Sequence, residues 1–121
     1  MAWQHFSELL VWQKAMDLTD EIYRVTKLLP REEIYGLAGQ MRRAAVSIPS
    51  NIAEGQGRMS DRECRQFFSV AQGSNAELET QLLICIRQNY LTQEDADPAL
   101  SLCRELGKML TAFLLRLKTE D

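Results

Sequence analysis

Apolar residues recur along this chain at alternating steps of three and four, the period of an amphipathic helix. In the first segment Val11, Ala15, Leu18, Ile22, Val25 and Leu29 make one unbroken seam, heptad-like over more than two repeats. Trp12, Met16 and Tyr23 widen the stripe on an adjacent face. The pattern predicts a helix over about 7–28, with Ser7 as its N-cap. Pro30 stops it, because the residue before a proline is pushed out of the helical region.

The next apolar stripe, Leu37, Met41, Ala44, Ile48 and Ile52, predicts a second helix over about 31–54. Glu32 and Glu33 suit its positive N-terminal end, and Gly55 and Gly57 terminate it. Pro49 lies inside, where its ring conflicts with the carbonyl of Ala45 and one backbone hydrogen bond is lost. The stripe continues in phase through Ile48 and Ile52, so a kink at Pro49 is expected; a break into two helices is the competing reading. Ser60-Asp61-Arg62-Glu63 matches a capping box and opens a third helix over about 61–90. That helix carries Cys64, Phe67, Phe68, Ala71, Leu78, Leu82, Cys85 and Ile86, and its stripe is interrupted at Gly73-Ser74-Asn75. A glycine inside a helix costs roughly 1 kcal/mol against alanine, which suggests another backbone close by. Thr92 or Asp97 caps a fourth helix over about 93–118, with Ala99, Cys103, Leu106, Leu110, Phe113 and Leu117 as its seam. No strand-period alternation interrupts the series. Four amphipathic helices with short connections predict a single all-α domain over 1–121, an antiparallel up-down-up-down four-helix bundle.

Beside the second apolar stripe runs a polar one. Gln40, Arg43, Ser47, Asn51 and Glu54 recur at steps of 3, 4, 4 and 3 and share one helix face. Ser74, Glu77 and Gln81 repeat at matching spacing on the third helix. The two stripes are expected to face each other, with Arg43 and Glu77 as the natural charged pair, since buried charges are tolerated only when paired. A registry or interface device is the first reading of this seam; a ligand or RNA site is the second, and catalysis the third. Surplus apolar residues, Trp12, Met16 and Tyr23 on the first helix and Leu102, Met109 and Leu115 on the fourth, add an expectation of self-association.

Charge changes the picture in one respect. The net charge is −3, against the basic balance of a dedicated nucleic-acid binder. Residues 41–65 nonetheless hold Arg42, Arg43, Arg58, Arg62 and Arg65 against three acidic residues, a local island whose guanidinium groups suit phosphate or carboxylate recognition. Candidate chemistry is otherwise sparse. The single histidine, His5, lies outside the bundle, so neither a Glu-x-x-His di-iron site nor a histidine-assisted nucleophile fits, and no cofactor is expected. No Cys-x-x-Cys or His-x-x-x-His spacing occurs, and the glycines near Gly55 lack a phosphate-loop ending. The odd, scattered Cys64, Cys85 and Cys103 read as reduced core thiols of a cytoplasmic protein. No apolar run approaches the ~20 residues of a membrane span.

Several segments in order resemble the bacterial four-helix bundle proteins named for reading frames inside intervening sequences of 23S ribosomal RNA genes. These are Leu10–Ala15, Pro30 with Glu33–Leu37, Gln40–Pro49, Ser50–Gly55, Ala71–Ser74 and Glu77–Glu79, which span nearly the whole chain. The resemblance implies a small helical bundle assembling as a ring of five, with no established enzymatic activity. It also implies kinship with accessory proteins of diversity-generating retroelements, which look like basic pentamers that bind nucleic acid and a reverse transcriptase. This chain departs from those relatives in charge: a ring would carry five times −3, which disfavours strong nonspecific RNA binding. The resulting expectation is a non-catalytic homo-oligomeric scaffold for a protein partner; the alternative is an RNA-binding accessory protein using the arginine island.

Overall fold

The computed structural model describes residues 4–117. They form an all-α bundle of four helices, α1 (Leu10–Thr26), α2 (Leu37–Gln56), α3 (Asp61–Arg87) and α4 (Gln93–Arg116), with short 3-10 turns at Phe6–Glu8 and Arg31–Glu33. Each helix packs on two others: α1 on α2 and α4, α3 on α2 and α4. Residue numbers rise along one helix as they fall along its neighbour. Thr19 meets Ala45 and Thr26 meets Arg42 between α1 and α2. Met41 meets Cys85 and Ser47 meets Ser74 between α2 and α3. Asn75 meets Cys103 and Gln72 meets Thr111 between α3 and α4, and Lys14 meets Glu105 between α1 and α4.

The expected seams supply most of the core, while their members Leu37, Cys64, Phe67, Ile86, Phe113 and Leu117 are half-buried. Val11, Ala15, Leu18, Ile22, Val25 and Leu29 are all buried, as are Met41, Ala44, Ile48 and Ile52 of α2. Phe68, Ala71, Leu78, Leu82 and Cys85 of α3 close on Ala99, Cys103, Leu106 and Leu110 of α4. The surplus apolar residues divide. Trp12, Leu102 and Met109 are half-buried against the core, whereas Met16, Tyr23 and Leu115 are exposed.

Several boundaries differ from the expected ones, each for a local reason. α1 begins at Leu10, not Ser7. Ser7 sits in the preceding 3-10 turn, where its backbone N–H donates to His5 Nδ1, and Leu9 takes the cap position without a side-chain bond. α2 begins at Leu37, not Arg31, because Gly36 adopts a non-helical backbone (φ −106°, ψ −110°). Glu33 still serves that N-terminus: its carboxylate accepts the Leu37 N–H at 3.1 Å and the Tyr90 hydroxyl at 3.0 Å. The latter bond, then burial, pushes the Tyr90 hydroxyl above its ordinary pKa. Ser60 caps α3 by accepting the Glu63 N–H at 3.2 Å, and its hydroxyl meets the Glu63 carboxylate at 3.3 Å. α3 ends at Arg87, short of 90, and Asn89 takes the left-handed conformation (φ 62°) beyond it. Thr92, not Asp97, caps α4, in a reciprocal box with Asp95. The expected end of that helix at residue 118 lies outside the described residues.

α2 runs through Pro49 as one helix, which removes the two-helix reading. The proline leaves the Ala45 carbonyl without its usual helical donor. Thr19 of α1, whose hydroxyl back-bonds to Ala15 O at 2.9 Å, leans on that carbonyl at 3.4 Å. Nor does Gly55 end α2: it lies buried inside the last turn. A Cβ there would stand 2.7 Å from Phe68 Cδ1 and 3.1 Å from the Cys64 carbonyl. Phe68 in turn packs on Phe113 of α4, ring centroids 5.2 Å apart.

Gly55→Ala therefore overpacks a rigid aromatic contact and should lower stability by about 1–3 kcal/mol, read as a shifted urea midpoint; an unchanged midpoint would mean that α2 and α3 separate freely there. The thiols give a second expectation. Burial, then Glu33, pushes Cys85 up to about 11. Burial, then Glu79, pushes Cys103 up to about 12 against the lowering effect of Arg104. The ordinary value is 9.0. Native protein at pH 8 should leave both unalkylated by iodoacetamide, and denaturant should release both. Because the unfolded thiols ionise first, their contribution to stability is present below pH 9 and is lost as pH rises through about 11 to 12.

Candidate interaction site

The polar stripe of α2 forms one bank of a shallow cleft and α3 forms the other. Gln40, Arg43, Ala44 and Ser47 face Ser74 and Glu77 across about 460 Å³. Small side chains on both helices let the two banks touch directly. Ser47 is the hub: its hydroxyl meets that of Ser74 at 2.9 Å. Asn51 Nδ2 donates to the Ser47 carbonyl at 2.7 Å and to its hydroxyl at 3.0 Å. Gln81 lies buried one turn beyond Glu77 and donates to its carboxylate at 3.1 Å.

The expected Arg43–Glu77 ion pair is not formed. Both residues are exposed along the cleft, and among the described residues Arg43 makes no ion pair. At an exposed site the gain from pairing two long side chains is small against their hydration and entropy. Glu54, the last member of the stripe, turns to Arg58 at 2.7 Å instead. The seam is thus half-buried: hydroxyls and an amide are satisfied within it, while Gln40, Arg43 and Glu77 remain open to a partner.

The arginines of the island turn to different partners. Arg42 turns towards α1, stacking over Tyr23 at 4.9 Å and donating to Thr26 Oγ1 at 2.9 Å. Arg43, one residue on, faces α3. Arg58, at the far end of α2, pairs with Glu54 and lies 4.6 Å over the Phe67 ring. Arg65 donates to the Leu114 carbonyl, and Arg62 is exposed on the first turn of α3. From Arg42 to the end of α2 at Gln56 is roughly 21 Å along the axis, at 1.5 Å per residue, and Arg58 lies beyond that end. No group of three or more His, Cys, Asp or Glu side chains among the described residues could hold a metal ion, and none of their helices is long and apolar enough to cross a membrane.

A second groove, between α3 and α4, escaped the sequence reading. Asn75 lies at its floor, 3% exposed, donating to the Cys103 carbonyl at 2.8 Å. Its signal was present: Asn75 stands in core register between Ala71 and Leu78, where an apolar residue belongs.

The family model described as 23S rRNA-intervening sequence protein matches residues 7–112. The chain belongs to this family. Its fold is similar to the crystal structure of a protein of unknown function from the S23 ribosomal protein family of Bacteroides thetaiotaomicron VPI-5482. The TM-score is 0.80 at 24% identity, over 87% of this chain and 98% of that one. No curated protein matches the chain. Membership in the 23S rRNA-intervening sequence protein family accounts for the bundle and for the long central motif of α2, and names no reaction.

Ser47→Ala removes the hub of the seam: the Ser74 hydroxyl loses its partner and the Asn51 amide keeps only the Ser47 carbonyl. It should cost about 1 kcal/mol with helix content unchanged, read by thermal denaturation monitored by circular dichroism. An unchanged melting temperature would mean that the seam contributes nothing to the stability of the bundle.

Proposed function

We propose that this chain is a non-catalytic scaffold that acts as a homo-oligomer, a ring of five, joined through the α2–α3 face and presented to a protein partner. The observation that carries the reading is Gly73. It lies exposed in the middle of α3, and a Cβ there would meet nothing within 4 Å. The bundle itself gains nothing from a glycine that costs roughly 1 kcal/mol of helix stability; a neighbouring helix pressed against that face does. Val70 and Ile84 flank it, 51% and 40% exposed, on the same side of α3 as the open cleft residue Glu77. Val70 and Ile84 offer exposed apolar area for the centre of a contact between subunits, and the open charges of the cleft suit its polar rim. The ring size follows the family resemblance.

The competing reading, RNA binding through the arginines, has less support. Arg42, Arg58 and Arg65 are engaged within the chain, and the net charge opposes phosphate binding.

Native mass spectrometry tests the assembly. The wild type should have about five times the 13.9 kDa subunit mass, and Gly73→Leu should give smaller species with helix content retained. A wild-type mass of one subunit overturns the scaffold ring. Salt-sensitive RNA binding by the wild type, lost in Arg43→Ala, would replace the protein-scaffold reading with the accessory one.

A further inference from the structure

A face that meets its own copy closes a dimer about a two-fold axis, whereas a ring of more than two subunits needs two different faces that fit each other. The α2–α3 face is one, so the ring requires a second. The α2–α3 face has the form of two ridges beside a cleft. One ridge is α2 with Arg43, the other is α3 with Gly73 and Val70, and the cleft of about 460 Å³ between them holds Glu77. Its complement is a single ridge between two grooves, carrying cations where the cleft carries Glu77.

The outer side of α4 has that form. Arg104 and Lys108, one turn apart, line both a groove of about 640 Å³ towards α3 and one of about 510 Å³ on their other side. Both side chains are exposed. Arg104 holds Glu79 only loosely, at 3.6 Å, and Lys108 makes no ion pair among the described residues. The first groove has chiefly apolar walls, and its floor is low because Ala76 and Gly107 are small. A Cβ on Gly107 would reach Asn75 Nδ2 at 3.6 Å, an ordinary contact, so the bundle itself would take alanine there and gain helix propensity. The second groove holds the exposed acids Asp97 and Glu105. The α1–α2 side matches less well, because its Arg42 is already stacked on Tyr23 and bonded to Thr26.

Height along the bundle agrees with this match. Rotation about a ring axis that runs along the helices moves no residue up or down, so groups that meet between copies lie in one layer. Asn75 meets Cys103 and Glu79 meets Arg104, which sets Arg104 level with Glu77. Ser47 meets Ser74, which sets Arg43, one turn back along α2, about level with Leu78 of α3. On α4 that level falls between Asp97 and Glu105. We propose, given the ring already inferred, that α4 of one copy seats its Arg104–Lys108 ridge in the α2–α3 cleft of the next. Glu77 then meets Arg104 and Lys108, Arg43 meets Asp97 and Glu105, and Val70 and Gly73 lie in the apolar α3–α4 groove.

The test is native mass spectrometry of charge reversals across a dilution series. Glu77→Arg and Arg104→Glu should each bring like charges together and raise the concentration at which the ring half-dissociates by about tenfold or more, with helix content unchanged. The double variant Glu77→Arg/Arg104→Glu exchanges the two signs and should return the mass to that of the wild type. Lys108→Glu takes the place of Arg104→Glu if the latter lowers helix content. A wild-type ring that either single reversal fails to weaken overturns the α4 contact and leaves the ring standing. So does a ring that both reversals weaken but the double variant does not restore. A wild-type mass of two subunits means that the α2–α3 face meets itself, and a mass of one subunit removes the ring; either result overturns the α4 contact together with the ring it rests on.

Discussion

How closely α2 can lie against its two neighbours is the constraint on which the rest of the bundle depends. Its contact faces are lined by short side chains, Ala38, Ala44, Ala45, Ser47 and Gly55, between the larger Met41, Ile48 and Ile52. Two serine hydroxyls meeting at 2.9 Å across a helix pair require that both side chains be short and the axes near. The same closeness places Gly55 under Phe68, where a methyl group would collide, and brings Thr19 of α1 to the carbonyl left free by Pro49. A proline inside a helix normally costs about 3 kcal/mol or more. Here its ring is buried in the bundle, so apolar burial and a donor from α1 both act against that cost.

The helices and the core were readable because burial follows a fixed period. Every member of the α1 seam from Val11 to Leu29 is buried, and no tertiary information was needed to find them. The helix starts were less readable because they depend on backbone states and on partners distant in sequence. Gly36 breaks the turn before α2 with a conformation that no side-chain pattern announces, and Glu33 caps α2 while also holding Tyr90 from the α3–α4 connection. Ser7 looked like a cap by residue type, but a 3-10 turn claimed it first.

The candidate site shows the same division. Helical spacing placed Ser47, Asn51 and Ser74 together, because spacing is a local property. It could not determine whether Arg43 and Glu77 would pair, since that depends on solvent exposure, nor could it divide the arginines. Arg42 and Arg43 are neighbours in sequence, yet one helical step of 100° sends one to α1 and the other to the α3 cleft. A charge island counted along the chain is therefore not a patch. Gly73 was read from its sequence as a sign of a close backbone. Within the chain nothing lies within 4 Å of where its Cβ would stand, so the packing of the bundle gives no reason for the glycine.

Both polar features converge on α3. One side presents Ser74 and Glu77 to α2, and the other presents Gln72, Asn75 and Glu79 to α4. Asn75 and Gln81 are buried, each with an amide oxygen unmet, and an apolar residue at either place would leave no such acceptor, so stability alone argues against them. A sequence that follows the helical rules as closely as this one does elsewhere, yet sets Asn75 in core register and leaves glycines at 73 and 107 with no clash to avoid, departs from them in a limited region. Departures of that kind gather where a surface must receive something else. On α3 they lie on two separate faces, so the helix that closes the core is also the one with most to offer outside it.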